Sequence, residues 1–231
     1  MITKEELERL EYAMNEALRK KAEAGRNTPL SLSPWEQIEY EKTFKESYEQ
    51  AKTEYYNAKA FYHFERHEWE QFCKAVLLDR NTMELCFICG WQDKLPDSYY
   101  YDFVVSSYTH WGDSMPKVRK AVYGLKKHGA AKLPAELDGL DVITVYRGCV
   151  DDIHWVKNAI SWTMDINEAK HFKQMAETFK HQPARVYQGK IRREHVLAYT
   201  NERNESEIIQ HGHVYGIKDI TDEVMDEAVA L

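Results

Sequence analysis

Between residues 35 and 78 the chain contains neither glycine nor proline. A run of that length without a breaker, rich in Glu, Lys and Gln, reads as long helix. A start signal precedes it: Ser33-Pro34-Trp35-Glu36 combines an N-cap Ser, a Pro at the first helical position and a Glu three residues after the Ser. Ile38, Phe44, Tyr48, Ala51, Tyr55, Tyr56, Ala60, Phe61, Phe64 and Trp69 give the run an apolar, largely aromatic stripe. Upstream, Thr3 and Glu6 have capping-box spacing, and Leu7, Leu10, Ala13, Met14, Ala17 and Leu18 follow at helical intervals. Residues 25–34, with Asn27, Pro29, Ser31 and Ser33, read as a loop between the two. A helical hairpin is therefore expected, its stripe packed on its own protein or, in the alternative, offered to a partner.

The texture then changes. A turn region covers residues 90–96, and residues 97–108, aromatic and β-branched, fit helix or strand equally well. Residues 118–127 read as helix, with Lys126 and Lys127 ahead of a stop at Gly129. From Asp141 onward, residues 142–146, 187–196 and 208–220 are β-rich segments bounded by Gly, Asn and Asp. Helices first and a mostly β half from Asp141 onward predict an α+β fold. At 231 residues the chain is long enough to bury a core unaided.

Composition narrows the function. A net charge of −7, from 31 basic and 38 acidic residues, argues against a broad phosphate-binding surface, so no nucleic-acid partner is expected. No apolar run approaches the roughly 20 residues that span a bilayer. The start, Met1-Ile2-Thr3-Lys4-Glu5-Glu6, is too acidic and polar for a signal peptide, so a soluble, cytoplasmic protein without a membrane partner is expected. Cys73, Cys86, Cys89 and Cys149 are too few for a disulfide framework. Cys86 and Cys89 form a lone CxxC, and His63 and His67, at helical spacing, lack the Glu that directly follows the first His of HExxH. No metal site is expected.

Three segments of the β half carry unusual polar residues. Tyr146-Arg147-Gly148 ends an apolar strand, with a glycine that lets a ligand approach the backbone. In Ile160-Ser161-Trp162-Thr163-Met164-Asp165 alternation puts Ser161 and Thr163 on one face and Trp162 on the other; Asp165 with Glu168 then reads as a helix cap with its reciprocal partner, and Ala169 and Phe172 as the buried side of that helix. In Asn204-Glu205-Ser206-Glu207-Ile208-Ile209 the same alternation puts two carboxylates on one strand face, about 7 Å apart. Taken singly, each is an ordinary strand end, strand–helix junction or charged edge.

Arg147, Ser161 and Glu207, in that order and spaced by 14 and 46 residues, resemble as a set the arginine–serine–glutamate signature of the mono-ADP-ribosyltransferase family. Tyr108, Asp113 and Val118-Arg119 resemble that family's helix before the first catalytic strand. Ser161-Trp162-Thr163 stands where the family has a Ser-Thr-Ser strand, departing from it at Trp162 and Thr163. Glu205-Ser206-Glu207-Ile208-Ile209, with Gly212 and Tyr215-Gly216-Ile217 after it, is similar to the family's Glu-x-Glu strand and closing strand. The resemblance covers roughly residues 97–231, which implies a catalytic domain there and leaves residues 1–96 as a helical N-terminal extension. It implies a core of two packed sheets and transfer of ADP-ribose from NAD, as substrate, to a protein acceptor with release of nicotinamide. It implies Glu207 beside the ribose, oriented by Ser161 with Thr163 supporting the same face. Arg147 would hold phosphate or ribose oxygens, Gly148 the nicotinamide amide, and Phe172 or Phe179 a cofactor ring. Glu205 goes with an arginine acceptor, and the loop over 199–204 with the target surface. The alternatives are an NAD glycohydrolase using the same site and a catalytically inactive scaffold acting through its helices. Delivery into a host cell as an effector fits the transferase expectation.

Overall fold

The structure, a computed structural model, describes residues 2–27, 29, 31–111, 116–128, 133–150, 152–202, 204–212 and 214–226. Asp113, Gly129 and Arg203 lie outside the described residues. The chain divides into two compact units, Met1–Ala121 and Val122–Leu231.

The first unit is helical. Helix α1 (Lys4–Arg26) starts at the Thr3–Glu6 capping box and α2 (Pro34–Glu65) at the Ser33–Glu36 box, both reciprocal as the spacing predicts. The two are antiparallel. Tyr55 donates to Glu11 near the start of α1, while Lys21 near its end meets Glu49 and lies over the Tyr48 ring. The glycine-free run does not stay helical to its end. It breaks after Glu65, where His67 takes a left-handed φ of 57° without being glycine, and His63 Nδ1 lies 2.6 Å from Glu68 Oε2 across the turn. His67 is therefore outside α2, and the i, i+4 pairing of His63 and His67 on one helix face does not form.

Helices α3 (Trp69–Leu77), α4 (Arg80–Cys89) and α5 (Asp97–Trp111) follow. Phe64, Phe72 and Trp91 stack and tilt on one another, and Phe103 of α5 meets Phe72 and Phe87. The later part of the aromatic stripe, with Tyr55, Ala60, Phe61 and Phe64, thus serves the unit's own packing, while Ile38 at its start is exposed. This also puts the expected boundary after residue 96 inside the first unit. The ambiguous 97–108 segment is helix: Tyr100, Tyr101, Phe103, Val104, Val105, Ser107 and Tyr108 are all buried, and a helix buried on several sides has no polar stripe to reveal its period. Helix α6 (Pro116–Gly124) carries the division between the units, and a 3-10 turn over Leu125–Lys127 follows it.

The second unit is one six-stranded antiparallel sheet with helices. Its strands are β1 (Val142–Cys149), β2 (Ser161–Thr163), β3 (Arg185–Arg192), β4 (Val196–Thr200), β5 (Glu207–Gln210) and β6 (Val214–Asp219), in the order β4-β5-β2-β1-β3-β6. Helices α7 (Ile153–Val156), α8 (Ile166–Lys180) and α9 (Thr221–Asp226) lie between or after them. The segments read from sequence as 187–196 and 208–220 are each split, by a 3-10 turn at Arg193–His195 and by a turn at Gly212 with φ 91°. The fold is α+β. Hydrogen bonding joins all six strands where two sheets were expected, yet the join is narrow. β1 and β3 pair over eight residues, whereas β1 meets β2 at the single pair Tyr146–Thr163. One core packs Ile143, Val145, Val156, Trp162, Tyr187, Ile191 and Ile208; another joins Ala169, Val186, Ile220 and Val224.

Candidate active site

The narrow join is where the polar residues meet. A cavity of about 200 Å³ is lined by Tyr146, Arg147 and Gly148 of β1, Ser161, Trp162 and Thr163 of β2, Phe172 of α8, Glu205, and Glu207 of β5. Three segments far apart in sequence are gathered because β2 pairs with β1 on one side and β5 on the other. Thr163 faces Tyr146 across one ladder and Glu207 across the other. Directly opposed residues of an antiparallel pair share a face, so the hydroxyls of β2 and the carboxylate of β5 emerge together.

The side chains are tied to one another. Ser161 Oγ donates to Glu207 Oε1 at 2.5 Å, and Arg147 Nη1 donates to the Ser161 carbonyl at 2.6 Å. Glu207 is only 7% exposed. Burying a carboxylate is costly unless it is hydrogen-bonded, and Ser161 supplies such a bond. Arg147 Nε is buried and finds no hydrogen-bond acceptor among the described residues. Trp162, as alternation predicts, points the other way: it is fully buried, and its Nε1 donates to the Ala159 carbonyl. Its ring edge reaches Gly189 on β3, where a Cβ would stand in ordinary contact 3.6 Å from Trp162 Cη2 but would crowd Val214 Cγ1 at 2.5 Å.

Gly148 has a packing reason to be glycine. A Cβ there would fall 1.9 Å from the Ala169 carbonyl oxygen and 2.6 Å from the Lys173 nitrogen, so α8 lies directly on β1 at this point. The same contact brings Phe172, half-buried, to the cavity wall; Phe179, 74% exposed, does not line it. Asp165 caps α8 by accepting from Asn167 N–H at 2.8 Å, one residue earlier than a capping box with Glu168 would need.

Glu205 reaches the cavity by a different route from the one alternation suggests. β5 begins at Glu207, and Ser206 has φ 44°, so the extended chain stops before Glu205. A left-handed serine has no glycine-like signature in sequence, which is why a regular strand was expected. Thr163 Oγ1 donates to the Glu205 carbonyl at 2.6 Å and accepts from Asp165 N–H at 2.9 Å. Thr163 therefore fastens the loop as well as lining the cavity. Tyr146 is a lining residue to which sequence reasoning gave no role; Gln188 Nε2 donates to its hydroxyl at 3.4 Å, and its place beside Arg147 was the available signal.

Elsewhere, burial pushes the Cys73 thiol up to about 12 and raises Cys86 as well, so neither is a thiolate near neutral pH. Among the described residues no three His, Cys, Asp or Glu side chains gather as ligands for a metal ion, and no described helix is long and apolar enough to cross a membrane. No protein-family model, curated protein or solved structure matches the chain.

Proposed function

We propose that the second unit is a mono-ADP-ribosyltransferase that uses NAD as substrate and a protein arginine as acceptor, built on the two-sheet core its signature implies. The observation that carries this reading is the convergence of Arg147, Ser161 and Glu207, from three separate strands, on one cavity, with Ser161 bonded to Glu207. The narrow join at Tyr146–Thr163 is compatible with a core that works as two three-stranded layers. At about 200 Å³ the cavity is below the roughly 300–1,000 Å³ of whole-ligand pockets. It suits the nicotinamide-ribose end of the dinucleotide, with the remainder lying outside. The buried, unsatisfied Nε of Arg147 adds to the case, since an oxygen-rich ligand offers acceptors to its planar fork.

The bond to break joins C1′ of the ribose to the nicotinamide nitrogen. Its electron pair goes to nicotinamide, neutralising the pyridinium, and the sugar gains oxocarbenium character as in glycoside hydrolysis. Glu207, held by Ser161, stands to stabilise that charge and to accept a hydrogen bond from a ribose hydroxyl. The acceptor guanidine then bonds to C1′ through nitrogen and releases a proton. Glu205 is the carboxylate that holds the guanidinium and takes this proton on to solvent.

The test is release of nicotinamide from NAD, with and without a guanidine compound, by the full chain and by Glu207→Gln. The variant keeps shape and loses charge, and the expected loss is on the order of 10²–10³ in rate. Near-normal turnover in a folded Glu207→Gln protein would remove this residue from its role. Activity abolished by a chelator and restored by zinc would overturn the reading as a whole.

A further inference from the structure

Glu205 stands between two residues in left-handed backbone, Asn204 at φ 59° and Ser206 at φ 44°. Asparagine tolerates this region, but serine there persists only when its surroundings over-determine it. The surroundings are visible. Asn201 Oδ1 accepts from Ser206 N–H at 3.0 Å, and the Asn201 carbonyl accepts from Asn204 N–H at 3.0 Å. From the other side Met164 N–H donates to the Ser206 carbonyl at 3.0 Å, and Thr163 Oγ1 donates to the Glu205 carbonyl. Asn201 is exposed, follows the last residue of β4 and does not line the cavity. Its side chain nevertheless holds the residue between the two glutamates.

We propose that Asn201 is a positioning residue for Glu205. By holding Ser206 in its left-handed turn it keeps Glu205 at the cavity, and so governs capture of the guanidine acceptor, while Glu207, anchored separately by Ser161, governs cleavage of NAD. This rests on the transferase reading. Without the Asn201 side chain Ser206 loses its tie to the β4 side; the Met164 bond and the Asn201–Asn204 backbone bond remain, and the turn that presents Glu205 to the acceptor is held less firmly. Misplacement of this kind weakens a step that depends on orientation.

The experiment compares Asn201→Ala and Asn201→Asp with the wild-type full chain, using NAD and agmatine as the guanidine probe. Nicotinamide release and ADP-ribosyl-agmatine are measured together. In Asn201→Ala the ratio of transfer to release should fall roughly 5- to 10-fold, as loss of one hydrogen bond warrants, through a higher KM for agmatine. Asn201→Asp keeps an acceptor at the same place and should bring the ratio back toward wild type. A merely structural role would lower both activities together, and that result, or an unchanged ratio, overturns the proposal. A crystal structure of Asn201→Ala provides the arm that needs no activity. There Ser206 should leave the left-handed region or the Glu205 side chain should leave the cavity; an unmoved loop overturns the proposal. Wild-type protein that releases no nicotinamide sinks the transferase reading and the acceptor role with it, while the loop geometry still decides whether Asn201 positions Glu205.

Discussion

Glu205 and Glu207 are two residues apart yet fixed by different means. Glu207 belongs to β5 and is bonded by Ser161, whereas Glu205 belongs to a loop whose carbonyl is held by Thr163. They should fail differently. Glu205→Gln keeps shape and hydrogen bonding but loses the charge that attracts a guanidinium. Transfer to a guanidine compound should be abolished, with slow release of nicotinamide continuing. Equal loss of both activities would make the carboxylates one unit acting on NAD, and unchanged transfer to the guanidine compound would remove Glu205 from the acceptor role. The main polar residues were legible because a strand's period of two needs no tertiary knowledge: Ser161 with Thr163, and Trp162 opposite, follow from alternation alone. Ser206 was not legible. Nothing in Glu205-Ser206-Glu207 announces a positive φ, since the turn is imposed by Asn201 and Met164 from outside the segment.

At the scale of elements, α8 and β1 meet without a spacer. Gly148→Ala would drive a methyl into the α8 backbone, where the neighbouring atoms are a carbonyl oxygen and an amide nitrogen rather than a flexible side chain. Overpacking of this kind typically costs about 1–3 kcal/mol. Denaturant unfolding should register that loss, along with reduced nicotinamide release as Phe172 shifts with α8. A midpoint equal to wild type would mean that the helix and strand part freely there. A second element contact depends on pH. Burial pushes the Asp219 carboxyl up, but hydrogen bonds from the Thr221 hydroxyl and N–H, together with Arg185, outweigh it and hold the carboxyl below its ordinary value. A depressed carboxyl contributes stability that is fully present above its unfolded value, about 3.9, and is lost as pH falls through the folded one. Thermal unfolding of Asp219→Asn should therefore be less sensitive than wild type to acidification below about pH 4. Parallel curves would show that this carboxylate adds nothing. The element types themselves were readable where local signals were strong, as at the two capping boxes. They were obscured where tertiary burial erased the pattern, as in α5, or where a non-glycine residue took a left-handed turn, as at His67.

On the scale of the whole molecule, every residue lining the candidate cavity belongs to Val122–Leu231. The helical unit carries its own core, knit by Phe64, Phe72, Phe87, Trp91 and Phe103. Deleting residues 1–32 removes α1 and uncovers the face of α2 that holds Tyr55. The first unit should lose stability, seen as a lower or separate unfolding transition, while nicotinamide release stays measurable. Total loss of release in a folded truncation would mean that α1 contributes to the reaction.

The single pair joining β2 to β1 leaves the β half with little backbone pairing along one line. Parting the sheet along β1 and β3 would break backbone pairing over eight residues; between β1 and β2 there is one backbone pair and the Arg147–Ser161 bond, and the two sides otherwise meet through the side-chain core around Trp162. This join runs through the cavity, with Arg147 on one side and Ser161 and Glu207 on the other. A molecule gripped from both sides would act as a staple there, adding hydrogen bonds where the strands share fewest. Its binding would be felt as slower amide exchange along both β1 and β2, far beyond the atoms it touches.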